Sequence, residues 1–325
     1  MKTRIMFAVI AVFAFAACEK NDVNDIVSNA EKITLQVSVP LSETKATGTL
    51  NEGKVNDYQV FVYSGRTGLL EAYSCSEKSE VTISCTTGPK EIVVLANAPK
   101  LDHLVKFSDM KVAKSSLADN SIGHLVMEGQ KTVELTASSK VEVSLKRIVA
   151  KIRLVKVETD FEIEAYNSLD FELVSAFLIN VPADKTYLSS SSDPSQWYHK
   201  LDFDKSAHCA ALLYDDLGNF NLQHDGEYNV SHSFYSYPNP ATSDSYSSTW
   251  SPRLTRLVVE ALLGGVKCYY PIPLPELKQN TAYDVSLTVK RPGTSGPNDN
   301  MEKPGAIFSI KVIDWYTGKP VTEVI

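Results

Sequence analysis

Histidines, cysteines and paired carboxylates are the residues that could do chemistry in this chain, and their spacing supports little of it. The six histidines, His103, His124, His199, His208, His224 and His232, form no HExxH motif and no pair spaced for zinc. There is no GxSxG, no phosphate-cradling glycine loop and no CxxC. His208 and Cys209 are adjacent, but neighbours along a strand point to opposite faces, which argues against a thiol dyad. Asp215-Asp216, and Asp225 with Glu227, are of the right type for glycosidase carboxylates or calcium ligands, yet acids in such loops are far more often simply solvated. The expectation is a protein that is not an enzyme, with no catalytic residues, no metal and no cofactor.

One cysteine does have a reactive context. Lys2 and Arg4 precede an apolar run from Ile5 to Ala17, followed by Cys18. This is a secretory signal peptide over residues 1–17, too short to remain as a membrane span. Phe15-Ala16-Ala17-Cys18 reads as a lipobox, with Phe15 where Leu is usual, so the Cys18 thiol is expected to take a diacylglyceryl group. Residues 18–32 are polar and read as a tether holding the folded part off the membrane.

Cys75, Cys85, Cys209 and Cys268 remain, and export permits their oxidation. Three pairings are possible and spacing selects none. In a tight hairpin centred near Glu77 to Ser79, Cys75 would face Val81 instead of Cys85; buried free thiols are the other reading. The formal net charge of −7 argues against nucleic acid, whose phosphates need a basic surface. At 325 residues the chain is long enough for two domains.

The elements are mostly strands. Ile33, Leu35, Val37 and Val39 alternate with Thr34, Gln36 and Ser38, the period of a half-buried strand. Tyr58 to Tyr63, Val81 with Ile83, Thr132 to Thr136 and a long run from Val141 to Val157 continue in this style, while Glu91 to Leu95 is apolar on both faces, as a central strand would be. Leu101, Leu104, Val105 and Met110 are spaced for one or two short helices within Leu101 to Leu117. Later strands are expected at Leu169 to Ile179, Leu254 to Leu262, Tyr283 to Lys290 and Ala306 to Asp314. Ser189 to Gln196 and Tyr235 to Ser251 read as exposed loops. Trp197, Tyr198, Tyr235, Tyr237, Tyr246 and Trp250 lie in those loops and could stack on sugar rings, although packing onto their own domain is the commoner use. Two β-sandwiches in tandem fit this layout, with the boundary near Glu158 to Asn167.

Five segments resemble, in order, the fimbrillins of the Bacteroidia, the FimA-type or type V pilins. They are Leu35 to Leu50 (LQVSVPLSETKATGTL), Asp57 to Gly65 (DYQVFVYSG), Gly88 to Pro99 (GPKEIVVLANAP), Leu145 to Leu154 (LKRIVAKIRL), and Asn280 to Trp315 with its PGT loop and FSIKVIDW. Asp160 to Leu277 carries no such resemblance. The resemblance implies two transthyretin-like sandwiches, residues 33–158 and 159–325, with a short helical insertion in the first. It also implies a lipoprotein precursor carried to the outer membrane, where a trypsin-like surface protease cuts between Lys45 and Ala46 and removes residues 33–45.

The groove once filled by Ile33, Leu35, Val37 and Val39 would then accept a strand from a neighbouring subunit in a cell-surface fimbria. The implied donor is the segment from about 308 to 325, with Val312, Ile313, Trp315, Val321, Val324 and Ile325 as its apolar side chains; the other reading is that this is only the last strand of its own domain. A stalk subunit is expected from the PGT loop and the apolar C-terminal segment. The alternative is an outer-membrane surface lipoprotein that binds a glycan or another adhesion ligand.

Overall fold

A computed structural model describes residues 31–39, 52–189, 194–206, 209–245, 250–301, 305–315 and 320–324. The first part of the chain contributes β1 (Lys32–Ser38), β2 (Tyr58–Ser64), β3 (Leu70–Ser76), β4 (Glu80–Thr86) and β5 (Gly88–Ala96). After the short helix α1 (Phe107–Met110) come β6 (Lys114–Ser116), β7 (Met127–Leu135), β8 (Ser139–Glu142) and β9 (Lys146–Arg147). Two sheets result, with strand orders β4-β1-β8 and β3-β2-β5-β7-β9.

These two sheets close on one core. Ile33, Leu35, Val37 and Val39 meet Val60, Val62, Ile92 and Val94 across the gap, with Val81, Ile83, Val141 and Val143 alongside. The apolar run of β5 serves both of its faces: Ile92 and Val94 look toward β1, while Val93 and Leu95 pack with Leu104, Met110, Leu117 and Leu125 beneath the insertion. Gly129 lets the chain cross from one sheet to the other, because a Cβ there would lie 2.4 Å from the carbonyl oxygen of Ser144.

The rest of the chain contributes β10 (Ala150–Thr159), β11 (Phe171–Ile179), β12 (Val181–Pro182), β13 (Asp184–Thr186) and β14 (Trp197–Tyr198). Helix α2 (Ala210–Leu213) leads into β15 (Tyr214–Asn221), β16 (Glu227–Tyr228) and β17 (His232–Ser236). β18 (Arg256–Leu263), β19 (Val266–Pro273), β20 (Thr281–Val289), β21 (Ala306–Asp314) and β22 (Pro320–Val324) follow. One sheet runs β16-β10-β20-β21-β22, with β17 also on β10, and another runs β15-β11-β18-β19. Ile152, Leu154, Val285, Leu287 and Ile310 from the first pack with Phe171, Leu173, Val259 and Tyr270 from the second.

The two halves are joined by more than the chain. β13 pairs with β6, and Lys114 Nζ lies 2.8 Å from Asp184. Lys185 is fully buried and reaches Glu128 on β7 at 3.0 Å, while the other oxygen of Glu128 accepts the Leu188 N–H. A buried cation in this position is tolerable only because it is paired and hydrogen-bonded.

Several sequence expectations need correction. The run from Val141 to Val157 is not one strand: it breaks into β8, β9 and β10, which belong to three different pairings. β10 runs parallel to β20 and antiparallel to β17, so the chain changes sheet between Arg147 and Ala150. Its alternation looked continuous because apolar side chains sit on both faces of a central strand.

In the insertion only α1 is an α-helix; Leu104 is buried, but Val105 is 55% exposed, so those residues do not share a helix face. β3 and β4 lie in different sheets, and residues 77–79 connect two layers instead of turning a hairpin. Cys75 is exposed and Cys85 is buried, and neither they nor Cys209 and Cys268 are bonded to one another. Tyr235 lies in β17, and Tyr235 and Tyr237 are fully buried, so neither belongs to an exposed loop.

Candidate functional site

β1 is the middle strand of its sheet. It runs antiparallel to β4, from Lys32 opposite Thr86 to Ser38 opposite Glu80, and parallel to β8, with Leu35 beside Ser139 and Val37 beside Val141. The strand forms here because β-branched and long apolar residues alternate strictly with polar ones, which suits a pleated surface buried on one side. Ile33, Leu35, Val37 and Val39 are 7%, 0%, 1% and 8% exposed, which makes them the filling of the first core. The outer face carries Lys32, Thr34, Gln36 and Ser38. Above it Lys140 of β8 and Glu80 of β4 form an ion pair at 2.7 Å, so the flanking strands meet over the one between them.

After Val39 the chain enters residues 40–51, and the expected processing pair Lys45 and Ala46 lies outside the described residues, as does Cys18. The chain re-enters the structure at Glu52, which is 1% exposed. Its carboxylate receives Lys151 of β10 at 2.6 Å, the Tyr235 hydroxyl of β17, and the Trp315 indole N–H at 3.1 Å. Its main-chain carbonyl accepts from Arg147 Nε at 3.1 Å. The Arg147 guanidinium lies over the Trp315 ring, 4.6 Å from its centre. Burial pushes Lys151 below the usual lysine range while Glu52 opposes that shift, and burial together with the Glu52 carboxylate drives the Tyr235 hydroxyl well upward. No sequence signal marked Glu52, because Asn51-Glu52-Gly53 reads as an ordinary turn.

The expected donor segment is two strands in this structure. β21 pairs with β20 along its whole length, from Ala306 opposite Val289 to Asp314 opposite Thr281. Ile313 and Trp315 are buried and Val312 is half-buried. β22 folds back on β21, with Val324 opposite Ile310, Glu323 opposite Lys311 and Thr322 opposite Val312. Val321 and Val324 lie on this edge strand, and Ile325 falls outside the described residues.

The other residues with chemical potential are engaged locally. Asp215 pairs with His232 Nδ1 at 2.7 Å, and the Tyr228 hydroxyl lies 2.7 Å from His232 Nε2. Asp225 pairs with His224, and Glu227 with Lys156. Burial pushes the Cys209 thiol up to about 11, the opposite of activation, and His208 lies outside the described residues. Trp197 packs edge-on against Trp250, with ring centres 5.6 Å apart, and Lys200 sits over Trp250. Among the described residues no group of three or more His, Cys, Asp or Glu is placed to hold a metal ion.

Residues 32–152 match the family described as "Major fimbrial subunit protein (FimA)". The chain is 26% identical over 289 residues to the "Major fimbrium subunit FimC" of Porphyromonas gingivalis, which covers 82% of this chain and 59% of that protein, so the chain spans about three fifths of its relative's length. Among solved structures it resembles a fimbrilin (fimA) from Porphyromonas gingivalis W83, with a TM-score of 0.66 at 17% identity over 88% of this chain and 98% of that one. It also resembles the tip fimbrial protein Mfa3 of Porphyromonas gingivalis, solved with a C-terminal truncation, with a TM-score of 0.53 at 14% identity over 86% and 99%. Residues 32–152 thus match a fimbrial subunit family by sequence, and most of the chain shares its fold with a fimbrilin of Porphyromonas gingivalis.

Proposed function

We propose that this protein is a structural subunit of a cell-surface fimbria that polymerises by strand exchange, most simply as a stalk subunit. The observation that carries the reading is the place of β1. A strand near the start of the chain, followed by Lys45-Ala46 in a small polar stretch, supplies the centre of a sheet and four side chains of one core. Burying each contributes about 1.5 to 3 kcal/mol. Removing that strand would leave β4 and β8 with unpaired inner edges and an apolar slot between them, and a free edge of this kind pairs readily with another chain.

The reading includes the finer steps: lipidation at Cys18, delivery to the outer membrane, a cut by a trypsin-like protease between Lys45 and Ala46, and donation from the C-terminal segment of the neighbour. It also includes a division into two domains, with the changeover near Arg147 to Ala150. Its partners are other pilin subunits, and the work is mechanical instead of enzymatic.

The test compares wild type with Lys45→Ala, both exposed to trypsin. Wild type should lose β1 and form ladders or filaments in gels and electron micrographs. Lys45→Ala should keep β1, because a strand on the same chain has an effective concentration that a neighbour's strand cannot match, and should stay monomeric. Filaments from Lys45→Ala with β1 intact would overturn the reading.

A further inference from the structure

We infer that the outer edge of β19 is a pairing surface for a second copy of this chain, held closed in the isolated chain by a clasp that residues 293–299 form over it. The inference stands apart from strand exchange, since it involves neither β1 nor β22.

β19 ends its sheet, with β18 on its inner side. The turn at Gly264-Gly265 sets Leu263 opposite Val266, and the register runs on through Glu260 opposite Tyr269 to Arg256 opposite Pro273. Alternate residues of an edge strand aim their main-chain groups away from the sheet. Here they are Lys267, Tyr269, Pro271 and Pro273, because Tyr269 is a residue whose N–H and C=O both bond outward. Proline has no N–H, so of these four only Lys267 and Tyr269 can donate along the edge. The stretch Val266-Lys267-Cys268-Tyr269-Tyr270 is otherwise of the type that pairs with stray strands, rich in β-formers with a single charge, and Val266 is 69% exposed. β15, at the other edge of the same sheet, is blunted by Asp215 and Asp216 and by its irregular register on β11. β19 has no such acids and is covered instead.

Residues 291–300, after β20, supply the cover. The Tyr269 N–H donates to the Thr294 carbonyl at 3.0 Å, and the Tyr269 carbonyl accepts the Thr294 N–H at 2.8 Å and the Thr294 hydroxyl at 3.1 Å. Gly293 permits this approach, because a Cβ there would lie 2.3 Å from the Tyr269 carbonyl oxygen. The loop is tied at further points. The Tyr270 hydroxyl donates to the Arg291 carbonyl at 3.0 Å, and the Asp299 carboxylate accepts the Gly296 N–H at 2.8 Å. Asn180 donates to Asn298 at 3.0 Å and Arg256 to Asn300 at 2.9 Å. Thr294, bridged antiparallel to Tyr269, thus stands where a neighbouring strand would stand. A second copy fits that place by symmetry: run antiparallel, its Lys267 falls opposite Tyr269 and its Tyr269 opposite Lys267. That contact is self-complementary about a two-fold axis and uses both outward donors of each chain.

The test uses the uncleaved chain without protease and under reducing conditions, so that neither strand exchange nor the native cysteines contribute. Gly293→Val with Thr294→Pro drives a side chain into the Tyr269 carbonyl and removes the N–H that met it. Hydrogen exchange at low concentration should show the Tyr269 amide losing its protection. Light scattering should show the apparent mass of this variant doubling as concentration rises, while the parent stays monomeric. Adding Lys267→Pro, which removes the other outward donor, should return the open variant to monomers. A variant whose Tyr269 amide exchanges freely but which stays monomeric would overturn the inference, as would dimers that persist with Lys267→Pro or that the parent forms equally. A Tyr269 amide still protected in a monomeric variant would show that residues 293–299 are not what closes the edge, and would overturn it too.

Discussion

β1 and β22 are both short strands, yet they are paired in opposite ways. β1 is paired on both flanks, fills its core with four side chains and passes under an ion pair between its neighbours. Among the described residues β22 lies at the edge of its sheet, with β21 as its partner. A central strand leaves only when the chain that holds it is cut, whereas an edge strand can exchange without a cut. On the strand-exchange reading proposed above, irreversible cleavage would act near β1 and reversible pairing at β22.

The largest effect should come from setting the two strands against each other. A chain beginning at Ala46 loses the burial of Ile33, Leu35, Val37 and Val39, on the order of 6 to 12 kcal/mol, against a typical whole stability of about 5 to 15 kcal/mol. Calorimetry should find the first unfolding transition abolished or replaced by self-association. A chain ending at Trp315 should melt close to the full chain. Similar losses in both would end the distinction between central and edge strand.

Glu52→Gln comes next. It leaves Lys151 buried without its carboxylate partner, at a cost of about 3 to 5 kcal/mol, measured by urea unfolding. A loss well under 1 kcal/mol would mean that the cluster does not anchor Trp315.

Leu95→Ala should cost about 2 to 5 kcal/mol by the same measurement. Leu95 lies on the face of β5 turned away from β1, so its cost should be equal with and without the N-terminal strand. A cost that vanishes once β1 is removed would show that the two faces of β5 do not support separate cores.

The smallest effect concerns acid. Burial alone would raise Asp184, but hydrogen bonds from Lys114, the Ser195 hydroxyl and the main-chain N–H groups of Ser195 and Gln196 hold it below the usual range. Its contribution is therefore complete above the unfolded value of about 3.9 and is lost as pH falls through the lower folded value. Melting curves of wild type and Asp184→Asn should differ at pH 7 and converge toward pH 3. An equal gap at both would show that the carboxylate does not stabilise the link between β6 and β13.

Several strands were legible because one face was polar, whereas β3, β15 and β19 went unread. The alternation of Ile33 to Val39 gave β1, and Ala306 to Asp314 matched β21 to the residue. Tyr283 to Lys290 lay close to β20. Alternation says nothing about which sheet a strand joins, so the break from β8 through β9 to β10 was hidden, as was the separation of β22 from β21. Glu52 was invisible for a different reason. A buried carboxylate is defined by partners far along the chain, here Lys151, Tyr235 and Trp315, and no local pattern marks such a meeting.

The outer edge of the β22 sheet also bears on solubility. Pro320 has no N–H to offer, and Glu323 stands opposite Lys311, which itself stands opposite Asp284, the partner of Arg153. Residues of alternating charge thus stand in register from Arg153 through Asp284 to Lys311, and the strand outside them carries Pro320 and Glu323 in its sequence. An edge built this way is a poor template for stray sheets, since proline and charge are among the devices that blunt aggregation. If subunits join by strand exchange as proposed above, an edge of this kind would keep them dispersed beforehand.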